Sequence, residues 1–523
     1  MERGSGLLVH ISELPSRHGI GTFGKEARKF VRFLKESNQK YWQVLPLNPT
    51  SYGDSPYQSF SAFALNPYFI DLDYLVKYGY LQKEDVRNIR GGKNPHFVDY
   101  GKIYEERFVV LKKAYKEAFK NEEEKITRFY IRNKKWLEDY ALFMTIKGLF
   151  DNKSWLEWPT KYRLHNRNVI AEVKQTHKDD YCFYIWLQYE ADKQYKKLRR
   201  YANRKGIKII GDMPIYVASD SADVWGNHRL FQLNKNRYPS CVAGVPPDCF
   251  SETGQLWGNP IYDYEYCKKT NYKWWRMRIK SMSKYYDLLR IDHFRGFESY
   301  WQVPANETTA INGKWVKGPG IELFNACKKE LSKIQIIAED LGVITDEVLE
   351  LKRMTGFPGL KVYQFAFEDY KKHLRGEYGE EYHRYKERLE RPYESLYEWK
   401  MAHLINPFLP HNYESNCVAY IGTHDNDTMD HYIETHQELT ESMRDYLNIN
   451  DNIYISDTLI GSLMRSSADV VIFLPQDILH LGVESRINTP GQASGNWQYR
   501  FVKGQLNHEL ANHLSIMTNE AGR

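Results

Sequence analysis

Eight short apolar runs, each giving way to a polar or glycine-containing break, recur along the chain and limit its possible folds more than any other feature. They are GLLVHIS (6–12), YWQVLPL (41–47), IKIIGDMPI (207–215), the run within YYDLLRIDHF (285–294), IQIIAED (334–340), LKVYQFAF (360–367), NCVAYIGTHD (416–425) and DVVIFLPQD (469–477). Their length and β-branched content are those of buried strands. Helical spacing lies between them. KEARKFVRFLKESNQ (25–39) places Ala27, Phe30, Val31 and Leu34 on one face, and TDEVLELKRMTGFPG (345–359) has Thr345 to cap its start and Gly356 with Pro358 at its end. Strand and helix in alternation, with eight strands, predict an α/β fold: a (β/α)₈ TIM barrel whose active site lies at the C-terminal ends of the strands.

The 523 residues exceed a plain barrel, and the excess falls in identifiable places. Residues 1–75 read as the first part of the barrel and 206–523 as its remainder. From 76 to 205 the alternation stops, and long charged helices such as 103–120 and 136–150 predict an inserted, mainly helical subdomain. Two long loops stand out. NPTSYGDSPYQSFSAFALNPY (48–68) mixes Gly, Pro and Ser with Tyr52, Tyr57 and Phe60, and residues 236–265 form a Gly/Pro-rich active-site loop carrying Phe250 and Trp257. Irregular segments of that length in compact domains are commonly functional. A helix over about 271–284 leads back into the fourth strand.

Charge and cysteine usage exclude some functions. Lys plus Arg number 73 against 67 Asp plus Glu, a balance of +6 spread over the whole length, which gives no case for nucleic acid. No run approaches the roughly 18 apolar residues of a membrane span, and MERGSGLLVHISELP lacks the apolar centre of an export signal. A soluble, cytoplasmic protein with no membrane partner is expected. Cys182, Cys241, Cys249, Cys267, Cys327 and Cys417 show neither a C-x-x-C pair nor zinc-finger spacing, so reduced thiols are expected. Phe, Trp and Tyr make up 15% of the chain; aromatic faces can stack on sugar rings, although most large aromatics are core residues.

The barrel hypothesis brings acids to one mouth. Asp292 ends the fourth strand, Glu339 the fifth and Asp425 the seventh, while Asp212 follows the third. On a strand Arg290 and Asp292 share a face and His293 takes the other; the guanidinium would keep the Asp292 carboxylate ionised, as a nucleophile requires. An ordinary ion pair closing a strand is the competing use, and any one acid is more simply a helix cap or loop brace. Together they match a retaining glycosidase, in which two carboxyls about 5 to 5.5 Å apart act as nucleophile and proton donor. Asp292 and Glu339 fit those roles. Metal binding is the other use of such clusters, but no H-E-x-x-H occurs and no nucleotide-binding motif is present, so neither metal nor organic cofactor is expected. GTHDNDT reads either as an Asx turn or as His424 and Asp425 gripping sugar hydroxyls.

The sequence also resembles a known family, the amylomaltases or 4-α-glucanotransferases of glycoside hydrolase family 77. The resemblance runs through SGLLVHISELPSRHGIGTFG, YWQVLPLNPTSYGDSPYQSFSAFALNPY, GDMPIYVASDSADVW, GVPPDCFSETGQLWGNP, LRIDHFRGFESYW, AEDLGVIT, FPGLKVYQFAF, GTHDNDT and RINTPGQASGNWQYR, in order over nearly the whole chain. It implies Asp292 as nucleophile, Glu339 as general acid/base and Asp425 as the third carboxylate, which orients hydroxyls. It further implies substrate contacts from Ser55, Tyr57, Asp212, Asp248, Trp257, Arg290, His293, His424 and Asn488, and a secondary glucan groove at Tyr52 and Tyr100. Thr489 and Gln492 depart from the family pattern around Asn488. The implied substrates are α-1,4-glucans and maltooligosaccharides, with glucose as an acceptor. An amylase-type hydrolase would share the carboxylates, and a silent glucan-binding protein would usually lack one; the acids by themselves do not separate transfer from hydrolysis.

Overall fold

The apolar runs become neighbours in one parallel sheet. A computed structural model describes residues 1–247, 251–342, 344–367, 406–450, 453–492 and 494–523. Its strands are β1 (Gly4–Leu8), β2 (Tyr41–Gln43), β3 (Lys208–Met213), β4 (Cys241–Val245), β5 (Gln255–Pro260), β6 (Leu288–Ile291), β7 (Ser299–Pro304), β8 (Lys314–Lys317), β9 (Gln335–Ala338), β10 (Gly359–Val362), β11 (Cys417–Tyr420) and β12 (Val470–Phe473). Eight of them pair in the order β10-β11-β12-β1-β2-β3-β6-β9, all parallel. The two ends meet where the Ala338 amide donates to the Pro358 carbonyl at 2.8 Å, closing a (β/α)₈ barrel.

Period-two alternation sorts the strand residues into two cores. Leu8, Tyr41, Ile210, Leu288, Ile337, Val418 and Ile472 fill the barrel interior. Their neighbours Leu7, Trp42, Ile209, Leu289, Ile336, Ala419 and Val471 face outward into the larger core beneath the helices. The helix Lys25–Glu36 covers that outer surface with Ala27, Phe30, Val31, Phe33 and Leu34. The helix Asp346–Thr355 has Thr345 at its N-cap position and stops at Gly356, whose φ of 67° is the left-handed conformation glycine adopts readily.

Two stretches fold differently from the expectation. The helices expected at 103–120 and 136–150 both form, within Tyr100–Leu149 on either side of a kink at Glu122 (φ −129°, ψ 16°), but helix also fills the stretch between them that was not expected. The intervening residues are good helix formers, and Glu122 is held by Lys125 and by Lys193 of the facing helix Lys178–Arg204, each at 3.0 Å. That second helix also packs on the barrel wall, where the Tyr195 hydroxyl donates to the Tyr285 carbonyl at 3.0 Å. The expected loop at 236–265 contains β4 and β5, which join β7 and β8 in a four-stranded antiparallel sheet ordered β5-β4-β7-β8. Its strands are short and Gly/Pro-interrupted, so their alternation is weak in the sequence, and half of the sheet comes from beyond residue 298.

Gly211 shows how closely the outer layer approaches the barrel. A Cβ there would lie 2.2 Å from Cγ of Tyr286, at the root of a buried ring that cannot swing aside. Gly211→Ala is expected to destabilise the protein by about 1 to 3 kcal/mol through overpacking. Chemical denaturation measures this, and an unchanged midpoint would show that the segment carrying Tyr286, between the helix Lys273–Met282 and β6, yields freely.

Candidate active site

The interior face of three neighbouring strands changes from apolar to charged at the C-terminal end of the barrel. Ile210 is followed two residues on by Asp212, Leu288 by Arg290 and then Asp292, and Ile337 by Glu339. Register aligns them. Asp212 pairs with Arg290 across β3 and β6, and Ile291 pairs with Ala338 across β6 and β9, so Asp292 and Glu339 occupy the next matched position. The Glu339 amide donates to the Ile291 carbonyl at 3.0 Å, extending the ladder to that point. Adjacent parallel strands lie about 4.8 Å apart, so the two carboxyls spring from backbones separated by roughly the retaining distance.

Arg290 Nη1 stands 2.7 Å from Asp212 Oδ2 and 2.9 Å from Asp292 Oδ1. The Tyr57 hydroxyl also donates to Asp212 Oδ2, at 2.7 Å. Glu339 accepts from two backbone amides, His293 at 2.6 Å and Leu341 at 3.0 Å. Burial pushes the Asp292 carboxyl above its ordinary range; Arg290 pulls it down, and Asp212, Glu339 and Asp425 push it up again. Burial raises Glu339 too, with Arg290 and the two amides opposing. One guanidinium therefore does not hold Asp292 ionised unaided, contrary to the reading of strand β6 in isolation. Two crowded acids retain a proton between them. Arg290 touches Asp292 and two amides hold Glu339, so each acid has a group that favours its anion.

The third carboxylate comes from the loop after β11. Asn426 Oδ1 accepts from the Thr423 amide and hydroxyl, both at 2.9 Å, which folds the loop back on itself. The Asx turn read from GTHDNDT is therefore not what forms: the Asn426 side chain bonds back to Thr423, three residues before it, and Asp425 remains at the cavity. Asn488 Nδ2 donates to Asp425 Oδ1 at 2.6 Å. Arg486 donates to the Asp425 carbonyl at 3.0 Å and to Asp427 Oδ2 at 3.2 Å. Beside them the buried His424 ring stacks on Tyr57 at 5.2 Å, with Trp497 tilted against both. Burial lowers the His424 pKa, leaving a neutral imidazole.

His293 departs from the strand reading. Its φ of 53° ends the alternation of β6, so the side chain enters the same cavity as Asp292 and meets Trp257 edge-on at 4.9 Å. Burial lowers its pKa to about 3, and its Nε2 is buried without a hydrogen-bond partner. Such a neutral ring can serve a sugar hydroxyl.

A cavity of about 910 Å³ unites Ser55, Tyr57, Trp257, Arg290, Asp292, His293, Glu339, His424, Asp425 and Asn488. Asp212 lies beneath it, with Oδ1 buried and unpartnered. Asp248, Phe250 and the Tyr52 side chain fall outside the described residues. Tyr100 opens the long helix and is only 8% exposed, with its hydroxyl on the Trp497 carbonyl at 3.0 Å; it packs here and offers no open face for a second glucan. Sequence reasoning missed Arg486, Trp497, Arg295 and Trp315, all of which line the cavity. Trp497 carried the same signal as Trp257, an aromatic in a glycine-containing loop, whereas nothing local marked the other three. Among the described residues no His, Cys, Asp and Glu are grouped to hold a metal ion.

A (β/α)₈ barrel with an acid pair on adjacent strand ends, a third carboxylate and aromatic walls defines a retaining enzyme that cleaves glycosidic bonds. The family model described as 4-alpha-glucanotransferase matches residues 9–389 and 376–505. The 4-alpha-glucanotransferase of Clostridium butyricum is 47% identical over 98% of this chain and 100% of its own length, and that of Thermus thermophilus 41% identical over 100% and 99%. An amylomaltase from Streptococcus agalactiae, solved in complex with acarbose, superposes with a TM-score of 0.91 at 40% identity, covering 100% of both chains. The chain belongs to the 4-α-glucanotransferase family, the amylomaltases.

Removing the guanidinium should expose its electrostatic role. Arg290 lowers the Asp292 pKa, so Arg290→Met is expected to raise it and to move the acidic limb of kcat/KM up by about 1 to 3 pH units. A folded variant whose acidic limb stays in place would remove Arg290 from control of Asp292.

Proposed function

We propose that this cavity transfers α-1,4-glucan segments from a donor to the 4-hydroxyl of glucose or a maltooligosaccharide by retaining double displacement. The observation that carries the reading is the matched position of Asp292 and Glu339 at the ends of β6 and β9. Asp292 attacks the anomeric carbon as Glu339 gives its proton to the departing 4-oxygen, leaving a glucosyl ester on Asp292. The acceptor 4-hydroxyl then attacks that carbon while Glu339 takes its proton, which releases Asp292 and restores the configuration. Asp425, held by Asn488, orients hydroxyls of the distorted ring. His293, His424 and Asp212 supply further polar contacts, and Tyr57 contributes aromatic surface at the cleavage point. Acarbose, found with the Streptococcus agalactiae relative, is proposed to occupy the same cavity.

Transfer and hydrolysis share the glucosyl ester and differ in what reaches it. An acceptor sugar prevails over water when walls bind it in line and exclude solvent during the second step. Trp257 and Tyr57 supply such walls. None of the described helices is long and apolar enough to cross a membrane, and a cytoplasmic setting is proposed for the reaction.

Maltotriose is expected to yield glucose together with longer maltooligosaccharides, with the total of glycosidic bonds nearly constant. Chromatography with a reducing-end assay decides this; reducing ends rising in step with donor loss would identify a hydrolase. Asp292→Asn is expected to lower kcat by at least about 10³-fold in a folded protein, since no ester can form. Glu339→Gln should lose activity on maltooligosaccharides yet keep the first step on donors with a good leaving group. Equal losses on both donor types would remove Glu339 as the acid.

A further inference from the structure

Trp315 is the most exposed tryptophan among the described residues of the cavity wall. It lies on β8, the edge strand of the antiparallel sheet, and is 41% exposed while lining the cavity that contains Asp292 and Glu339. Its other surroundings are built. The guanidinium of Arg295 covers one ring face, with its carbon 3.9 Å from the ring centroid, and Trp301, its partner across β7, meets it edge-on at 5.2 Å. Arg295 is itself 4% exposed and belongs to the short turn Phe294–Phe297 that follows the nucleophile. The turn that fixes Asp292 thereby also fixes the plane of Trp315.

A large aromatic held in this way loses little further freedom when a ligand covers it, and its exposed surface is apolar area left in water inside a substrate cavity. The sugar C–H surface is its natural complement. Position distinguishes it from Trp257. Trp257 sits on β5 against His293, next to the cleavage point, whereas three strand spacings of about 4.8 Å put β8 some 14 Å away across the sheet. We propose that Trp315 is the stacking platform of an outer glucosyl subsite, which selects longer α-1,4-glucan chains over short ones; this rests on the glucan-transfer reading above.

The test compares kcat/KM for maltoheptaose and for maltotriose in the wild-type protein and in Trp315→Ala, Trp315→Leu and Trp315→Phe. The maltoheptaose-to-maltotriose ratio is expected to fall about tenfold in the Ala and Leu variants and to recover in the Phe variant, which restores a flat ring. Leu keeps apolar bulk over Arg295, so a purely structural role would be rescued by Leu, and its failure would touch both donors alike. Equal losses on the two donors, or an unchanged ratio, overturn the proposal. Calorimetric titration of maltoheptaose into Asp292→Asn protein, with and without Trp315→Ala, gives an independent reading, with about tenfold weaker binding expected. If the wild-type protein fails to act on maltotriose, the function reading falls, and the titration still decides whether Trp315 binds glucan. If maltotriose is disproportionated and both ratio and affinity stay unchanged, the subsite alone is overturned.

Discussion

Arg290 occupies a strand position that in most barrels holds an apolar side chain, and its charge is what allows so many acids to gather at one mouth. Its Nη1 bridges Asp212 and Asp292, with side-chain exposures of 6% for the guanidinium and 0% for Asp212. A buried ion pair contributes little net stability, because desolvation offsets most of the attraction. Its effect here lies in placement. Without a fixed cation the neighbouring carboxyls would repel one another; with it, Asp212 and Asp292 share one counter-charge. The parallel register of β3, β6 and β9 aligns the three acids with that cation, and a slip of one residue in any of these strands would turn its acid out of the barrel.

Around this rigid base, the remaining groups arrive on loops from separate parts of the chain. Tyr57 comes from the segment after β2, His424 and Asp425 from the turn after β11, and Asn488 and Trp497 from near the C-terminal end. Arg486 fastens two of these loops together by reaching the Asp425 carbonyl and Asp427. The antiparallel sheet supplies the opposite wall through Trp257 and Trp315. The division suits the reaction. Bond cleavage needs carboxyls held to a fraction of an ångström, and strand ends provide that. The proposed exclusion of water and choice of acceptor need shaped surfaces, and these would fall to loops and edge strands.

Much of this was legible in the residues. Eight apolar runs of strand length, the helical face of Ala27, Phe30, Val31 and Leu34, and the stop at Gly356 are local signals, and they correspond to observed elements. Asp292 and Glu339 stood out because each ends an apolar run. Other features were illegible for physical reasons. The side chosen by His293 depends on a left-handed backbone that strand alternation does not anticipate. A turn in GTHDNDT was visible, but not that Asn426 bonds back to Thr423 while Asp425 meets Asn488, 63 residues away. Tyr100, which the resemblance placed in a second glucan groove, is buried with its hydroxyl on the Trp497 carbonyl.

The sequence by itself determined the periodicities, hence the strands and most helices, and it determined which residues carried chemistry at strand ends. Tertiary structure decided the rest. It decided that weak, Gly/Pro-interrupted strands around 236–265 pair with strands beyond 298, since antiparallel partners satisfy backbone groups that a loop would leave to water. It decided the protonation of the acid pair as well: desolvation and the distances to Arg290 and the other carboxylates set that balance, and neither quantity exists until the barrel closes.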